Sequence, residues 1–207
     1  MTIAREFLPL DGLGRRRLKV AFVGTHGVGK TTLCYELAAQ LKRLDLSVEL
    51  VKEVARRCPL PINEQTTPDA QAWILHTQMA EELAAAASYE VVICDRSVLD
   101  NYAYLVARIG RRPEMDALVR SWIPTYNFLF KVPVLDAPSF DGTRAVSRSF
   151  QMEIEENIDE LVETFGVGVL RLDPMDREGW IPSVIQTLGM PLRPPQIDMF
   201  SASAASH

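Results

Sequence analysis

A glycine-rich run near the N-terminus combines residue types that can bind phosphate. It fits the pattern G-x-x-x-x-G-K-[ST], and we call it the phosphate loop: Gly24, Thr25, His26, Gly27, Val28, Gly29, Lys30, Thr31 and Thr32. Glycines allow successive backbone N–H groups to turn towards one anion. Lys30 supplies a point charge for the β- and γ-phosphates of a nucleotide, and Thr31 supplies a hydroxyl ligand for Mg²⁺. The pattern therefore predicts a site for a nucleoside triphosphate, with ATP as the expected one, and Mg²⁺.

A second candidate group follows an apolar run in the middle of the chain. Asp95 ends the run Val91–Cys94 and is the expected carboxylate ligand of Mg²⁺. Arg96 follows, where motor-type and AAA-type ATPases usually carry a second carboxylate that positions a hydrolytic water. A cation can stabilise charge on a transferred phosphoryl group, but it cannot activate water. We therefore expect transfer to an organic acceptor, and the absence of an N-K-x-D guanine motif disfavours a GTPase.

The segments around these residues alternate between strand and helix patterns. Short apolar runs predict strands at 18–23, 48–51, 90–95, 127–132 and 167–172. Helical periodicity predicts a helix that begins at Lys30, and further helices over about 69–88, 98–109, 114–122, 147–164 and 177–188. Strands that alternate with helices predict an α/β fold in which helices cover both faces of a parallel sheet.

Length and composition are those of one globular domain. The 207 residues suffice for one sizeable core. Residues 1–17 are predicted to form an N-terminal arm, residues 18–189 the domain, and residues 190–207, which are rich in Pro and then in Ser and Ala, a flexible tail.

Charge and cysteine usage restrict the classes of partner and compartment. The net charge is −5, so the chain as a whole is not attracted to nucleic acid or anionic lipid. The three cysteines have no metal-ligand spacing, which suits a reducing compartment. No apolar run approaches the ~18 residues of a membrane span. The default expectation is a cytoplasmic enzyme without a membrane or nucleic-acid partner.

Three segments together resemble the nucleoside and nucleotide kinase group of P-loop proteins. They are the phosphate loop, Asp95-Arg96-Ser97 and Asp141-Gly142-Thr143-Arg144. The group includes thymidylate kinases, deoxynucleoside kinases and ribosylnicotinamide kinase-like ATPase domains. Glu53 with the following Val54-Ala55-Arg56-Arg57, and the stretch from Asp95 to Tyr104, are most similar to the last of these. The similarity extends in order over about residues 19–188.

The resemblance implies a three-layer α/β/α fold, with a five-stranded parallel sheet and the phosphate loop after the first strand. It implies a helical lid at about 136–150 whose arginines reach the phosphates, and Arg144 and Arg148 are the candidates. In such enzymes an arginine at the γ-phosphate can contribute ~10³–10⁵ in rate. It also implies that Glu53 closes a strand beside that of the phosphate loop and either takes the proton from the acceptor hydroxyl or binds the acceptor, and that Arg96 also contacts the acceptor. Asp95 is the alternative base.

The sequence gives weaker evidence for the residues that would bind the acceptor than for those of the phosphate loop. Arg56 and Arg57 could bind an anionic acceptor or could be ordinary surface residues. Tyr102 could stack on a base of the acceptor, although aromatic residues on amphipathic helices mostly belong to the core. His26 could touch a phosphate, but the x positions of the motif tolerate many residues, which favours a bystander.

These features together predict an ATP- and Mg²⁺-dependent kinase that transfers the γ-phosphoryl group to a small acceptor, a nucleoside or a nucleotide. Two alternatives stay open. One is an ATP-binding regulatory module without transfer, whose tail would serve a protein partner. The other is a kinase that acts on nucleic-acid ends or modified bases, against which the acidic net charge argues. A homodimer is compatible with each of them.

Overall fold

A computed structural model describes residues 3–62, 65–135 and 148–193 of the chain. Within these ranges, five strands form one sheet: β1 Leu18–Val23, β2 Val48–Val51, β3 Val91–Asp95, β4 Phe128–Lys131 and β5 Leu170–Arg171. Their spatial order is β2-β3-β1-β4-β5, and every neighbouring pair is parallel. The predicted five-stranded parallel sheet is thereby confirmed.

The strand order corrects one expectation about the second strand. β2 pairs with β3 and not with β1, so Glu53 does not follow a strand that neighbours the strand of the phosphate loop. Every residue of β1 and β3 is buried, whereas Glu49 and Leu50 of β2 are partly exposed. The most apolar strands therefore occupy the interior of the sheet, and β2 lies at its edge.

In the part of the chain that the structure describes, six α-helices cover the two faces of the sheet: α1 Lys30–Arg43, α2 Pro68–Ser88, α3 Val98–Ile109, α4 Pro113–Trp122, α5 Arg148–Phe165 and α6 Trp180–Thr187. Side chains of β1 alternate between the faces. Phe22 packs with α1 and α6 in one core cluster, and Ala21 packs with α2, α3 and α5 in the other. This is the predicted three-layer arrangement. None of these helices combines the length and the apolar composition that a membrane crossing requires.

The largest differences from the predicted element bounds lie near the C-terminus. β5 contains only Leu170 and Arg171, and α6 begins at Trp180, three residues later than expected. A loop takes the place of the first helical turn because its polar groups bond locally. Asp176 accepts a hydrogen bond from Gly179 N at 3.0 Å, and the indole of Trp180 donates to Asp173 O at 2.6 Å.

The N-terminal arm contacts the domain in the described residues. A short 3₁₀ helix, Ile3–Phe7, is followed by Leu8, which is buried in the core. Arg5 forms an ion pair with Glu90, and Leu10 and Arg16 form an antiparallel bridge. Residues 194–207 of the predicted tail lie outside the described residues.

A buried carboxylate joins β1 to two helices on the α2 side of the sheet. Glu82 is fully buried and accepts hydrogen bonds from Lys19 Nζ at 2.8 Å, the Trp122 indole at 2.7 Å and the Tyr126 hydroxyl at 2.7 Å. Lys19 Nζ also lies 4.4 Å from the centre of the Tyr126 ring. Because an unpaired charge is costly to bury, this group constrains how β1, α2 and α4 assemble.

We expect Glu82→Gln to lower the free energy of unfolding by about 3–5 kcal/mol, because Lys19 would keep its buried charge and lose its counter-charge. Urea or thermal unfolding measures the loss. The matched control is Glu81→Gln, which breaks a surface pair with the half-exposed Arg57 and should cost less than about 1 kcal/mol. Equal losses in the two variants would contradict this role for Glu82.

Candidate active site

The phosphate loop connects β1 to α1 with a backbone that requires glycine. Gly27 and Gly29 have φ angles of 76° and 92°, a region that other residues rarely adopt. A Cβ atom at Gly24 would lie 2.8 Å from Val132 O, on the chain that follows β4. Because α1 begins at Lys30, the loop leads into a helix N-terminus, where free N–H groups and the helix dipole favour an anion.

The Lys30 side chain is folded back over the loop. Its ammonium group donates to Gly24 O at 2.8 Å and to Thr25 O, and the residue is only 5% exposed. Burial, with a contribution from the charge of Arg96, lowers the pKa of Lys30 to about 8. The carbonyl oxygens carry no net charge, so a bound phosphate would supply a negative charge to pair with the Lys30 ammonium.

Thr31 and Asp95 present two oxygen atoms next to each other. The Thr31 hydroxyl donates to Asp95 Oδ2 at 2.5 Å, and Asp95 ends β3 directly opposite Phe22 of β1. Within the described ranges, no group of three or more His, Cys, Asp or Glu residues could hold a metal ion. A hydroxyl and one carboxylate suit Mg²⁺, which takes few protein ligands and completes its shell with water and substrate phosphates.

Asp100 connects the phosphate loop to the residues after β3. One carboxylate oxygen accepts from Gly24 N at 2.7 Å, and the other accepts from Ser97 N at 2.7 Å and the Ser97 hydroxyl at 2.8 Å. The contacts with Ser97 form the capping box that starts α3. Between Asp95 and Ser97, Arg96 has a φ angle of 87°, which is unusual for a bulky residue. The Asp95-Arg96-Ser97 triplet therefore lies in a turn held against the loop.

A buried ion pair lies beside this turn. Arg96 Nε donates to Glu53 Oε1 at 3.1 Å, and both side chains are 6% exposed. Arg56 Nε donates to the second oxygen, Glu53 Oε2, at 2.7 Å. Burial disfavours the charge of Arg96, yet Tyr104 and the carboxylate of Glu53 hold the pKa of Arg96 above its ordinary value.

The ion pair forms part of the wall of a small cavity, which we call the side pocket. Its free volume is about 20 Å³, roughly the room that one water molecule occupies. The side pocket is lined by Glu53, Ala55, Ile62, Gln71, Ile74, Arg96, Asn101 and Tyr104. It therefore combines one ion pair with two carboxamides and an apolar wall.

The structure brings most of the predicted site residues together. Lys30, Thr31 and Asp95 meet at the phosphate loop, and Glu53 and Arg96 meet in the side pocket. The charges of Arg96, Asp95 and Glu53 all influence Lys30, so the two groups form one electrostatic unit.

Three predicted residues are not seen in these groups. Arg57 bonds to Glu81 on the surface. Arg148 is exposed at the first position of α5, and Arg144 lies outside the described residues.

The structure places Tyr102, a predicted acceptor contact, away from the side pocket. Tyr102 is fully buried in the core, and its hydroxyl bonds to Asp116 and to the backbone of Arg112. Tyr104 lines the side pocket instead, with the Arg96 guanidinium 5.2 Å from its ring centre. The two tyrosines are separated by two positions, or about 200° around the helix, and so face opposite directions.

His26 links the phosphate loop to its surroundings. Its Nδ1 lies 3.0 Å from the Tyr104 hydroxyl, its ring stacks on Phe150 of α5, and its carbonyl accepts from Gln151 Nε2 at 2.8 Å. The expected bystander therefore connects the loop to α3 and α5.

Several residues at the site carry no motif that sequence reasoning could recognise. Glu155 Oε2 accepts from Thr25 N at 3.3 Å. Arg177 Nη2 lies 3.5 Å from the place that a Cβ on Gly29 would occupy. For Gln151 and Glu155 the only signal is their spacing of four residues, which places them on one helix face.

Comparisons with known proteins agree with this arrangement. Residues 19–178 match the model of a family described as AAA domain, and no curated protein matches the chain. Deoxyadenosine kinase from M. mycoides, solved with bound dATP, has a TM-score of 0.62 at 17% identity, over 84% of this chain and 100% of that one. The same kinase with the products dCMP and a flexible dCDP has a TM-score of 0.63 at 16% identity, over 83% and 99%.

Thymidylate kinase from Ehrlichia chaffeensis has a TM-score of 0.61 at 16% identity, over 83% of this chain and 98% of that one. At such identities the likeness shows a shared fold. The predicted resemblance to P-loop nucleoside and nucleotide kinases is confirmed at that level.

We expect Asp100→Asn to destabilise the fold by about 2–3 kcal/mol, because an amide cannot accept all the hydrogen bonds that the buried carboxylate accepts. Asp69→Asn is the matched control, since Asp69 also lies in the first turn of a helix but is exposed. Its loss should be about 0.3–1 kcal/mol. Urea unfolding compares the two, and an Asp100→Asn loss no larger than that of the control would contradict the assigned role.

Proposed function

The chain belongs to the AAA domain family, and from the geometry of its site we propose that it is a kinase that transfers the γ-phosphoryl group of ATP to a small acceptor, a nucleoside or a nucleotide. The observation that carries this proposal is the position of the Glu53–Arg96 pair beside the phosphate loop. Motor-type and AAA-type hydrolases usually carry a second carboxylate directly after the one that binds Mg²⁺, and the described site instead places a buried cation, Arg96, after Asp95.

In this proposal the phosphate loop binds the triphosphate of the donor. The amides of the loop and the ammonium of Lys30 contact the β- and γ-phosphates, and Lys30 exchanges its carbonyl partners for phosphate oxygens. Thr31 and Asp95 would hold Mg²⁺, which when bound neutralises charge on the β- and γ-phosphates. Arg144 and Arg148 are proposed to contact the transferred group, as lid arginines would.

Glu53 is the proposed general base. A hydroxyl oxygen of the acceptor attacks the γ-phosphorus, the bond from that phosphorus to the bridging oxygen breaks, and ADP leaves while Glu53 takes the hydroxyl proton. Arg96 and Arg56 orient the two oxygens of Glu53. Asp95 is the weaker candidate for this role, because in this proposal it holds Mg²⁺ together with Thr31.

Arg96 has a second proposed role. Its guanidinium lies close enough to Lys30 to influence it, so both cations can stabilise the equatorial oxygens of the transferred group. Arg56 pairs with Glu53 and has a half-exposed side chain. Arg57 is the least supported of the predicted acceptor contacts, because Glu81 already pairs with it.

A transfer assay with labelled ATP and a panel of nucleosides and nucleotides tests the proposal. We expect a labelled acceptor with the wild-type chain. In Lys30→Ala, turnover should fall at least about 10²–10³-fold, because a charge that stabilises the transferred group is lost. Lys42→Ala, at an exposed position of the same helix, is the control and should keep full turnover.

Two outcomes would contradict the proposal. Full turnover in Lys30→Ala would show that the reaction occurs elsewhere. Binding of a nonhydrolysable ATP analogue with no labelled acceptor in the panel would favour a regulatory module without transfer.

We expect Glu53→Gln to lower kcat by about 10²–10⁴ without changing the affinity for the ATP analogue, because the amide cannot take a proton. Asp95→Asn should instead raise the Mg²⁺ concentration that half-maximal turnover requires. Steady-state kinetics over a Mg²⁺ series separates the two, with the exposed Glu114→Gln as control. If Glu53→Gln retained its kcat while Asp95→Asn lost it at saturating Mg²⁺, Asp95 would be the base.

A further inference from the structure

A row of polar side chains on α5 lies against the phosphate loop and β4. Gln151, Glu155 and Asp159 follow one another at intervals of four residues, so they share one face of the helix. Gln151 Nε2 donates to His26 O at 2.8 Å, and Glu155 Oε2 accepts from Thr25 N at 3.3 Å. Two backbone groups of the phosphate loop are therefore held from α5.

A buried cation of β4 lies behind this row. Lys131 is 2% exposed, and in the sheet it lies opposite Val23, the residue that precedes the phosphate loop. Its ammonium nitrogen lies 3.0 Å from Glu155 Oε1 and 2.5 Å from Asp159 Oδ1. Asp159 also pairs with Arg171 at 2.8 Å. Among the described residues, Lys131 is the only cation that pairs with Glu155.

The carboxylate of Glu155 lies where a negative charge opposes phosphate binding. Thr25 donates its N–H to Glu155, and its carbonyl oxygen accepts from the Lys30 ammonium. One residue thus separates the carboxylate from the cation that the proposed function assigns to the β- and γ-phosphates. The Glu155 side chain is 13% exposed, so solvent screens little of its repulsion of a bound triphosphate. The opposite charge of Lys131 offsets that repulsion.

The N–H of Thr25 needs an acceptor from outside the phosphate loop. Thr25 is fully buried, and a buried N–H group without a partner is costly. The neighbouring carbonyl oxygens, those of Gly24 and Thr25, already accept from Lys30. Glu155 supplies the acceptor, and Lys131 allows a carboxylate to do so beside a phosphate site.

We propose that Glu155 and Lys131 are positioning residues for the triphosphate of the donor. Glu155 fixes the backbone of the phosphate loop at Thr25, and Lys131 neutralises Glu155 so that the loop retains its affinity for an anion. The inference rests on the proposed function, and it adds two residues to the half of the site that binds the donor. Both act through the loop and not by contact with the phosphates.

The first test removes the neutralising charge and measures Kd for a nonhydrolysable ATP analogue with Mg²⁺ by titration calorimetry. We expect Lys131→Met to raise this Kd about 10–30-fold, because the unpaired carboxylate of Glu155 repels the triphosphate. Lys131→Met/Glu155→Gln, which removes both charges, should return Kd to within about threefold of the wild-type value.

The matched control for this test is Arg171→Met. It makes the same charge change as Lys131→Met, but in a pair with Asp159 in which the arginine side chain is 59% exposed. Since Asp159 keeps Lys131 as its partner, Kd for the ATP analogue should change less than about twofold.

The second test separates the hydrogen bond at Thr25 from the charge of Glu155. Glu155→Gln keeps an oxygen that can accept from Thr25 N, and Glu155→Leu removes it. We expect Glu155→Gln to bind the ATP analogue at least as tightly as the wild-type chain. Glu155→Leu should bind it about 3–10-fold more weakly than Glu155→Gln, because one hydrogen bond is lost. These two variants keep the test decisive if Lys131→Met does not fold.

Three results would overturn the inference and leave the proposed kinase activity intact. They are an equal Kd in Lys131→Met and Arg171→Met, a double variant as weak as Lys131→Met, and an equal affinity in Glu155→Gln and Glu155→Leu. A purely structural role of Lys131 would produce the first result, since the midpoint of unfolding would fall while Kd of the folded chain stayed unchanged. A wild-type chain that does not bind the analogue would overturn the proposed function, and this inference with it.

Discussion

The carboxylate of Asp100 holds the first residue of the phosphate loop against the start of α3, and the rest of the site depends on that contact. One oxygen binds Gly24 N, and the other binds Ser97 in the capping box. A loop that must collect backbone N–H groups around an anion cannot also bond those groups within itself, so its position has to be set from outside. Asp100 sets it from the segment that also carries Asp95 and Arg96. The phosphate loop and the turn that carries Asp95 and Arg96 are thus positioned together.

The phosphate loop and the side pocket are coupled through charge and through packing. The charges of Arg96, Asp95, Asp100 and Glu53 all affect the pKa of Lys30, so a change in the side pocket alters the electrostatics of the phosphate loop. The contact of His26 with Tyr104 adds a direct link from the phosphate loop to the side pocket, and α5 touches the loop through Glu155.

Elements with strong local signals could be predicted from the sequence. β1, β2 and α3 have the expected bounds, because a run of buried apolar residues and a helical period are properties of neighbouring residues. Weaker signals did not predict the bounds of the last elements. The last strand is shorter than predicted, and α6 begins later because Asp173 and Asp176 accept local hydrogen bonds before it. Tyr102 and Tyr104 both lie on the expected helix, but only Tyr104 faces the side pocket. The sequence pattern predicted the helix and did not predict which of the two tyrosines faces this pocket.

The sequence by itself determined the glycine pattern of the phosphate loop, the alternation of strands and helices, and the candidacy of Glu53, Asp95 and Arg96, because each depends on residue type and short spacing. Only the tertiary structure decided that β3 separates β2 from β1, that Glu53 pairs with Arg96, and that Asn101 keeps a buried donor in the side pocket. The strand pairing and the Glu53–Arg96 contact join residues more than forty positions apart, and the state of the Asn101 donor depends on the groups that surround it. Such contacts arise when the strands assemble, and no local pattern encodes them.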